Sequence, residues 1–182
     1  MFGLLVAISA PLLAGFVGSI LTRKEIKNWY TKIKKPSWTP PNWLFGPVWG
    51  VLYISQGVAS WLVWRERAKQ KVLLPLLLYG QQLLLNLVWT PIFFTLHRPL
   101  WAAIDSAGIL AVGTAATVTM SRVAGPAKIL PLMTPYLAWI GFATALAADI
   151  AVKNPQAHLI KATSTTSTHA PAVSSDVVES KK

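Results

Sequence analysis

Nine tryptophans occur in these 182 residues, and the chemistry open to the chain depends on where they fall and which polar side chains accompany them. An indole has a broad apolar face and one N–H donor, so it can wall a cavity or sit half buried at an apolar boundary. Trp29, Trp43, Trp61 and Trp64 fit the second role, an interfacial belt. Trp49, Trp89, Trp101 and Trp139 fall within apolar runs or at their start, alongside Gln56, Gln81, Gln82, Asn86, Asp105 and Asp149. Polar groups in such surroundings need partners, and an ionisable one is a functional hypothesis by default. Asp149 has Lys153 four residues on and reads as a solvated i,i+4 pair. Asp105 stands near a helix start beside Arg98 and reads as a structural brace for the first loop. The Asn86 amide can bridge helices or orient a ligand carbonyl, and both roles stay open. No nucleotide-binding loop, nucleophile–base pair or metal cluster is visible, and His158 and His169 lie in a polar tail without partners. With no cysteine, disulfides and Cys-based metal sites are excluded.

The elements that hold these residues follow from the composition. The chain is 53% apolar and only 13% charged, where a soluble domain carries about 25% charged residues. Its mean hydropathy is +0.48. A net charge of +11 would suggest nucleic acid in a soluble protein. Here the cations occupy gaps between apolar runs, where they set topology and meet anionic lipid headgroups, so nucleic acid is not an expected partner. Five runs reach the roughly 20 apolar residues a spanning helix needs: 2–22, 44–64, 72–94, 100–121 and 129–152. The first lacks the basic flank and short apolar stretch of a signal peptide and reads as a retained helix. None alternates with the period of a barrel strand. The expected fold is an all-α integral membrane protein, a five-transmembrane-helix bundle over residues 1–153, followed by a disordered polar tail over 154–182.

Five spans place the termini on opposite sides. The face with the first loop, the third loop and the tail carries eleven Lys/Arg against six on the other, which predicts a cytoplasmic C-terminus. At about 1.5 Å per residue, Trp49, Asn86, Trp89, Trp101, Asp105, Trp139 and Ala143 all fall within about 20 Å of that face. The first loop lies over the same face. Its run Lys35-Pro36-Ser37-Trp38-Thr39-Pro40-Pro41-Asn42-Trp43 is stiffened by prolines and can act as an interfacial hinge or as a lid with Trp38 as a wall. A stripe of small residues, Ala103, Ala107, Ala111 and Ala115, and the pair Gly46 and Gly50 suit close helix packing within the chain or in a homodimer.

Those runs, in order, resemble the TspO/MBR family, the translocator or peripheral-type benzodiazepine receptor proteins. The resemblance rests on the loop just quoted, Gly46-Pro47-Val48-Trp49-Gly50-x-x-Tyr53, Gln82-x-x-x-Asn86-x-x-Trp89-x-Pro91-Ile92-Phe93-Phe94, and Pro135-Tyr136-Leu137-Ala138-Trp139 with Phe142-Ala143-Thr144. It covers residues 15–153. It implies a five-helix bundle whose cavity binds porphyrins such as protoporphyrin IX and haem, and in eukaryotic members cholesterol and benzodiazepine-type drugs. Trp49 and Trp139 match the family's pocket tryptophans, implicated in light-dependent porphyrin breakdown, and are the candidate catalytic residues if there is any catalysis. Asn86 matches a residue that binds a ligand carbonyl. Tyr53, Trp89, Trp101 and Ala143 match other lining positions, and Trp38 the covering loop. Tryptophan faces stack on a macrocycle, and Lys32, Lys34 and Lys35 stand where propionates would lie.

The chain departs from animal members at their cholesterol-recognition motif, where Ala148 stands at the tyrosine position. The resemblance therefore implies a tetrapyrrole-binding protein that senses, scavenges or moves porphyrins as ligands, with no cofactor required. A light-dependent porphyrin-degrading enzyme and a cholesterol or lipid transporter are the alternatives. It implies the mitochondrial outer membrane in a eukaryote, and otherwise an endomembrane or a bacterial envelope.

Overall fold

The computed structural model describes residues 2–159, and among them every regular element is helical. Helix α1 (Phe2–Glu25) runs into a π-helical turn, Ile26–Tyr30. Helix α2 (Asn42–Arg65) ends in a short 3-10 turn. Helix α3 (Leu73–Thr90) passes into a second π-helical turn, Pro91–Thr95, where Pro91 cannot donate to the α-helical ladder. Helices α4 (Pro99–Ala124) and α5 (Pro126–Lys153) each start with proline in the first turn, where a missing N–H costs nothing. Gly125 alone separates them. Its φ of +93° is open to glycine and strained for other residues, and it reverses the chain in one step.

Packing closes these helices into a ring in the order α1, α2, α5, α4, α3. The tightest crossing is between α1 and α2. A Cβ on Gly57 would stand 2.6 Å from the Ile8 Cα and 2.8 Å from the Ala7 carbonyl oxygen. The outer surface is apolar, with Leu5, Phe16, Leu77, Leu84 and Ile104 all exposed. The interior holds Gln56 and Gln82, both at 0% exposure, with small and hydroxyl residues. The hydroxyls of Ser106, Thr117 and Thr144 donate back to carbonyls four residues earlier, so they carry no unmet donor into an apolar surround, whereas the buried Ser121 hydroxyl has no partner among the described residues.

Four segments are long and apolar enough to cross a membrane: Phe2–Ile20, Leu73–Thr95, Pro99–Ala124 and Pro126–Lys153. The run expected over 44–64 forms α2 but does not reach that level of hydropathy, because Trp, Tyr, Gln, Ser, Gly and Pro take up much of it. Of the small-residue stripe on α4, Ala103 is buried while Ala107, Ala111 and Ala115 are exposed. A Cβ on Gly46 or Gly50 would meet nothing within 4 Å. Neither set supports close packing within the chain.

Two expectations change at the end of the bundle that carries the first loop. Trp29 is 2% exposed and lies in a core cluster with Tyr30, Ile33, Phe93, Leu146 and Ile150, so it is not part of an interfacial belt. Trp43 and Trp64, at 72% and 48% exposed, do suit one. The segment after α5 also keeps its order past Lys153. Residues 154–159 pack against the first loop and end in a 3-10 turn, Ala157–Leu159, while the rest of the expected tail lies outside the described residues.

Candidate functional site

Helix α2 carries Trp49 and Tyr53 one turn apart, and their rings meet at 5.2 Å. Tyr136 of α5 closes on Trp49 edge-on at 6.5 Å. Across the ring, the Tyr53 hydroxyl donates to Asn86 Oδ1 of α3 at 2.9 Å. In this orientation the amide oxygen faces Tyr53 and Nδ2 faces the other way, where its N–H groups can donate. One turn deeper, Gln82 Nε2 donates to Gln56 Oε1 at 2.7 Å and Gln82 Oε1 accepts from the Tyr136 hydroxyl. This chain ties α2, α3 and α5 together beneath the aromatic residues. Asn86 thus bridges α2 and α3, the first of the two roles left open by the sequence.

A second aromatic group starts at the loop. Trp38 meets Phe142 edge-on at 5.5 Å, Phe142 stacks on Trp139 at 5.2 Å, and Phe45 meets Trp139 at 5.7 Å. The run around Trp38 therefore lies against α5, with Trp38 still 45% exposed. Ala143, half-buried, follows Phe142 on the same helix. A third group joins Trp89 to Phe93, stacked at 4.9 Å with planes 9° apart. Trp101 stands away from all of these. It is 60% exposed at the start of α4 and pairs with no aromatic ring among the described residues.

Several polar atoms here are buried without a hydrogen-bond partner: the indole Nε1 of Trp89, the indole Nε1 of Trp139 and the Asp105 Oδ2. Each such group costs about 1–3 kcal/mol when left unmet. Asp105, expected to brace the first loop, forms no ion pair among the described residues. Arg98 is exposed instead of turning towards it. The Asp149–Lys153 pair forms as the spacing required.

The brace comes from residues whose roles the sequence did not reveal. Glu25 Oε2, at the end of α1, accepts from His97 Nε2 at 3.1 Å, and the His97 ring stacks on Trp29 at 4.4 Å. Trp29 Nε1 donates to the Ala157 carbonyl at 3.1 Å. Asn154 holds the Lys34 backbone by two bonds: Lys34 N–H donates to its Oδ1 at 2.9 Å, and its Nδ2 donates to the Lys34 carbonyl at 2.8 Å. The Lys35 ammonium donates to the Tyr30 carbonyl at 3.0 Å and lies over the Tyr30 ring, so it faces its own chain and not a propionate. Burial pushes the Tyr30 phenol above its ordinary range, which keeps it neutral beside that cation. One signal was visible: Glu25 is the single acid in a basic run, and His97 the single histidine outside the tail.

Comparison with known proteins adds to this geometry. The family model described as TspO/MBR family matches residues 7–153. The chain is 44% identical over 139 residues to "Translocator protein" from Homo sapiens, covering 75% of this chain and 81% of that one. It is 37% identical over 149 residues to "Tryptophan-rich protein TspO" from Archaeoglobus fulgidus, covering 79% and 91%. It is 41% identical over 86 residues to "Protein CrtK" from Rhodobacter capsulatus, covering 47% and 52%.

Proposed function

The chain belongs to the TspO/MBR family, and from that premise we propose that it binds a tetrapyrrole, protoporphyrin IX or haem, in the half of its bundle covered by the first loop. The observation that carries this reading is the set of unmet polar atoms among the aromatic groups. Trp89 and Trp139 each bury an indole N–H with no acceptor among the described residues, and beside them the Asn86 amide oxygen accepts from Tyr53. A flat ligand with an apolar ring and polar edges suits such a set, because it offers faces to stack on and acceptors for those donors. Trp49, Tyr53, Asn86, Trp89, Trp139 and Ala143 are the proposed lining, and Trp38 the cover. Trp101 enters only if the α4 start turns inward on binding.

The same reading makes residues 1–153 one membrane unit with α2 as its fifth span. At 24 residues, α2 is about 36 Å long, enough to cross a hydrocarbon core of about 30 Å. The excess of Lys and Arg puts the loop-bearing face in the cytoplasm. Sensing, scavenging or transport of the porphyrin follows as the role. Ala148, at the tyrosine position of the family's sterol motif, argues against sterol as the main ligand.

The test is a dark titration of the detergent-purified chain with protoporphyrin IX, read by tryptophan fluorescence. Saturable binding near micromolar, about −8 kcal/mol, is expected, and it should weaken at least tenfold in a Trp49→Phe/Trp139→Phe variant. A folded chain that shows no saturable binding would overturn the proposal and favour sterol or lipid.

A further inference from the structure

Glu25 is the only acid between the start of the chain and Glu66, and it is turned inward. Its carboxylate meets His97, whose side chain is 3% exposed. The basic residues around it are thereby left without a neighbouring counter-charge. Arg23, Lys24 and Lys27 are exposed and form no ion pair among the described residues. With Ile26 and Asn28 they line a recess of about 440 Å³. Arg23 and Lys27, and Lys24 and Asn28, are each four residues apart, so all four fall on one side of the helical turn that runs from α1 into Ile26–Tyr30.

Depth selects the ligand. The apolar part of α1 ends at Ile20, so Arg23 lies about 5 Å beyond it along the helix. The polar headgroup zone of a bilayer occupies about 5–7 Å outside each face of the hydrocarbon core. Arginine can fork two N–H groups onto a phosphate, lysines add point charge, and an asparagine amide adds a neutral donor. We infer that this recess binds the phosphate of an anionic phospholipid headgroup.

At the other end of the bundle, Arg65 and Arg67 are arranged differently. The Arg65 guanidinium lies over the Trp61 ring at 4.9 Å, and that of Arg67 over Trp64 at 4.8 Å. Arg67 also donates to the Trp64 carbonyl at 3.2 Å. These cations already have partners within the chain, which makes them the control.

The experiment measures binding of fluorescent phosphatidylglycerol and phosphatidylcholine to the full chain in a neutral detergent by anisotropy. Phosphatidylglycerol should bind at least tenfold tighter than phosphatidylcholine. An Arg23→Gln/Lys24→Gln/Lys27→Gln variant should lose that preference, and Arg65→Gln/Arg67→Gln should keep it. Lys27→Gln alone, a milder change, should reduce it about threefold, and circular dichroism confirms that each variant is folded. An undiminished preference in the folded triple variant overturns the assignment. So does inorganic phosphate binding as tightly as the lipid, since that would mark a site for a free anion. The inference does not depend on the porphyrin reading: the triple variant should still bind protoporphyrin IX.

Discussion

At the end of the bundle bearing the first loop, a half-buried glutamate pairs with a buried histidine, a tryptophan is sealed behind them, and arginine and lysine are left facing a recess. At the opposite end Trp64 lies outside and Trp61 is half-buried, and Arg67 and Arg65 lie over their rings. Both ends carry tryptophan and basic residues, but Trp29 is sealed in at the first while Trp64 stays exposed under an arginine at the second. The second end is the ordinary solution for an apolar helix leaving a membrane, in which the cation shields an indole and both stay near water. The first end buries polar groups and ties four pieces of chain together: the end of α1, the first loop, the turn before α4 and the segment after α5. Such a structure holds a cover in place, and the cover lies over the aromatic groups proposed to take the ligand.

The largest expected effect tests that contrast directly. Trp29→Ala should destabilise the chain by about 3–5 kcal/mol, as removal of a buried aromatic does. Trp64→Ala should cost less than about 1 kcal/mol, since half of its surface is already exposed. Reversible denaturation in detergent, with a dodecyl sulfate titration as the perturbant, measures both. Equal losses would mean that the two ends are not built differently.

Asn154→Ala comes next. It removes three hydrogen bonds, two to Lys34 and one to Ile150, at a net cost of about 1–3 kcal/mol. The effect should be local, with faster amide exchange over residues 31–41 and unchanged exchange in the middle of α4. Uniformly faster exchange would show that the clamp supports the whole bundle and not the cover alone.

A smaller effect should come from Tyr53→Phe. Freed of its partner, the Asn86 amide can rotate, and its donors are no longer held towards the ligand. Affinity for protoporphyrin IX in the dark titration should fall by about threefold to tenfold, the worth of about one hydrogen bond. An unchanged affinity would leave the tyrosine with a purely structural part. Smallest of all, Arg67→Gln should lower stability by no more than about 1 kcal/mol, the value of an exposed cation–π contact.

Much of the helical layout could be read from the chain, because apolar length, the prolines at 99 and 126 and the glycine at 125 are local signals. The grouping of Trp49, Tyr53, Asn86, Trp89 and Trp139 in one half of the bundle also follows from depth along each helix. Other features were out of reach for physical reasons. Trp29 lies between a lysine-rich stretch and a polar loop, and nothing in its neighbours shows that the carbonyl of residue 157 will accept a hydrogen bond from its indole. Asp105 has an arginine nearby in sequence, yet charge spacing does not say which way each side chain turns, and the brace went to Glu25 and His97, 72 residues apart. Trp101 sits at the depth of the site but on the outer side of its helix, and depth alone cannot distinguish the two.

The two bonds between Lys34 and Asn154 join residues 120 positions apart. During synthesis the first loop leaves the ribosome long before its partner exists, so the cover cannot be seated until α5 has been made and inserted. A nascent chain halted before residue 154 would carry α1 to α5 and an unlatched loop. Protease sensitivity of that loop would then report, in a growing chain, whether its synthesis has passed the end of the bundle.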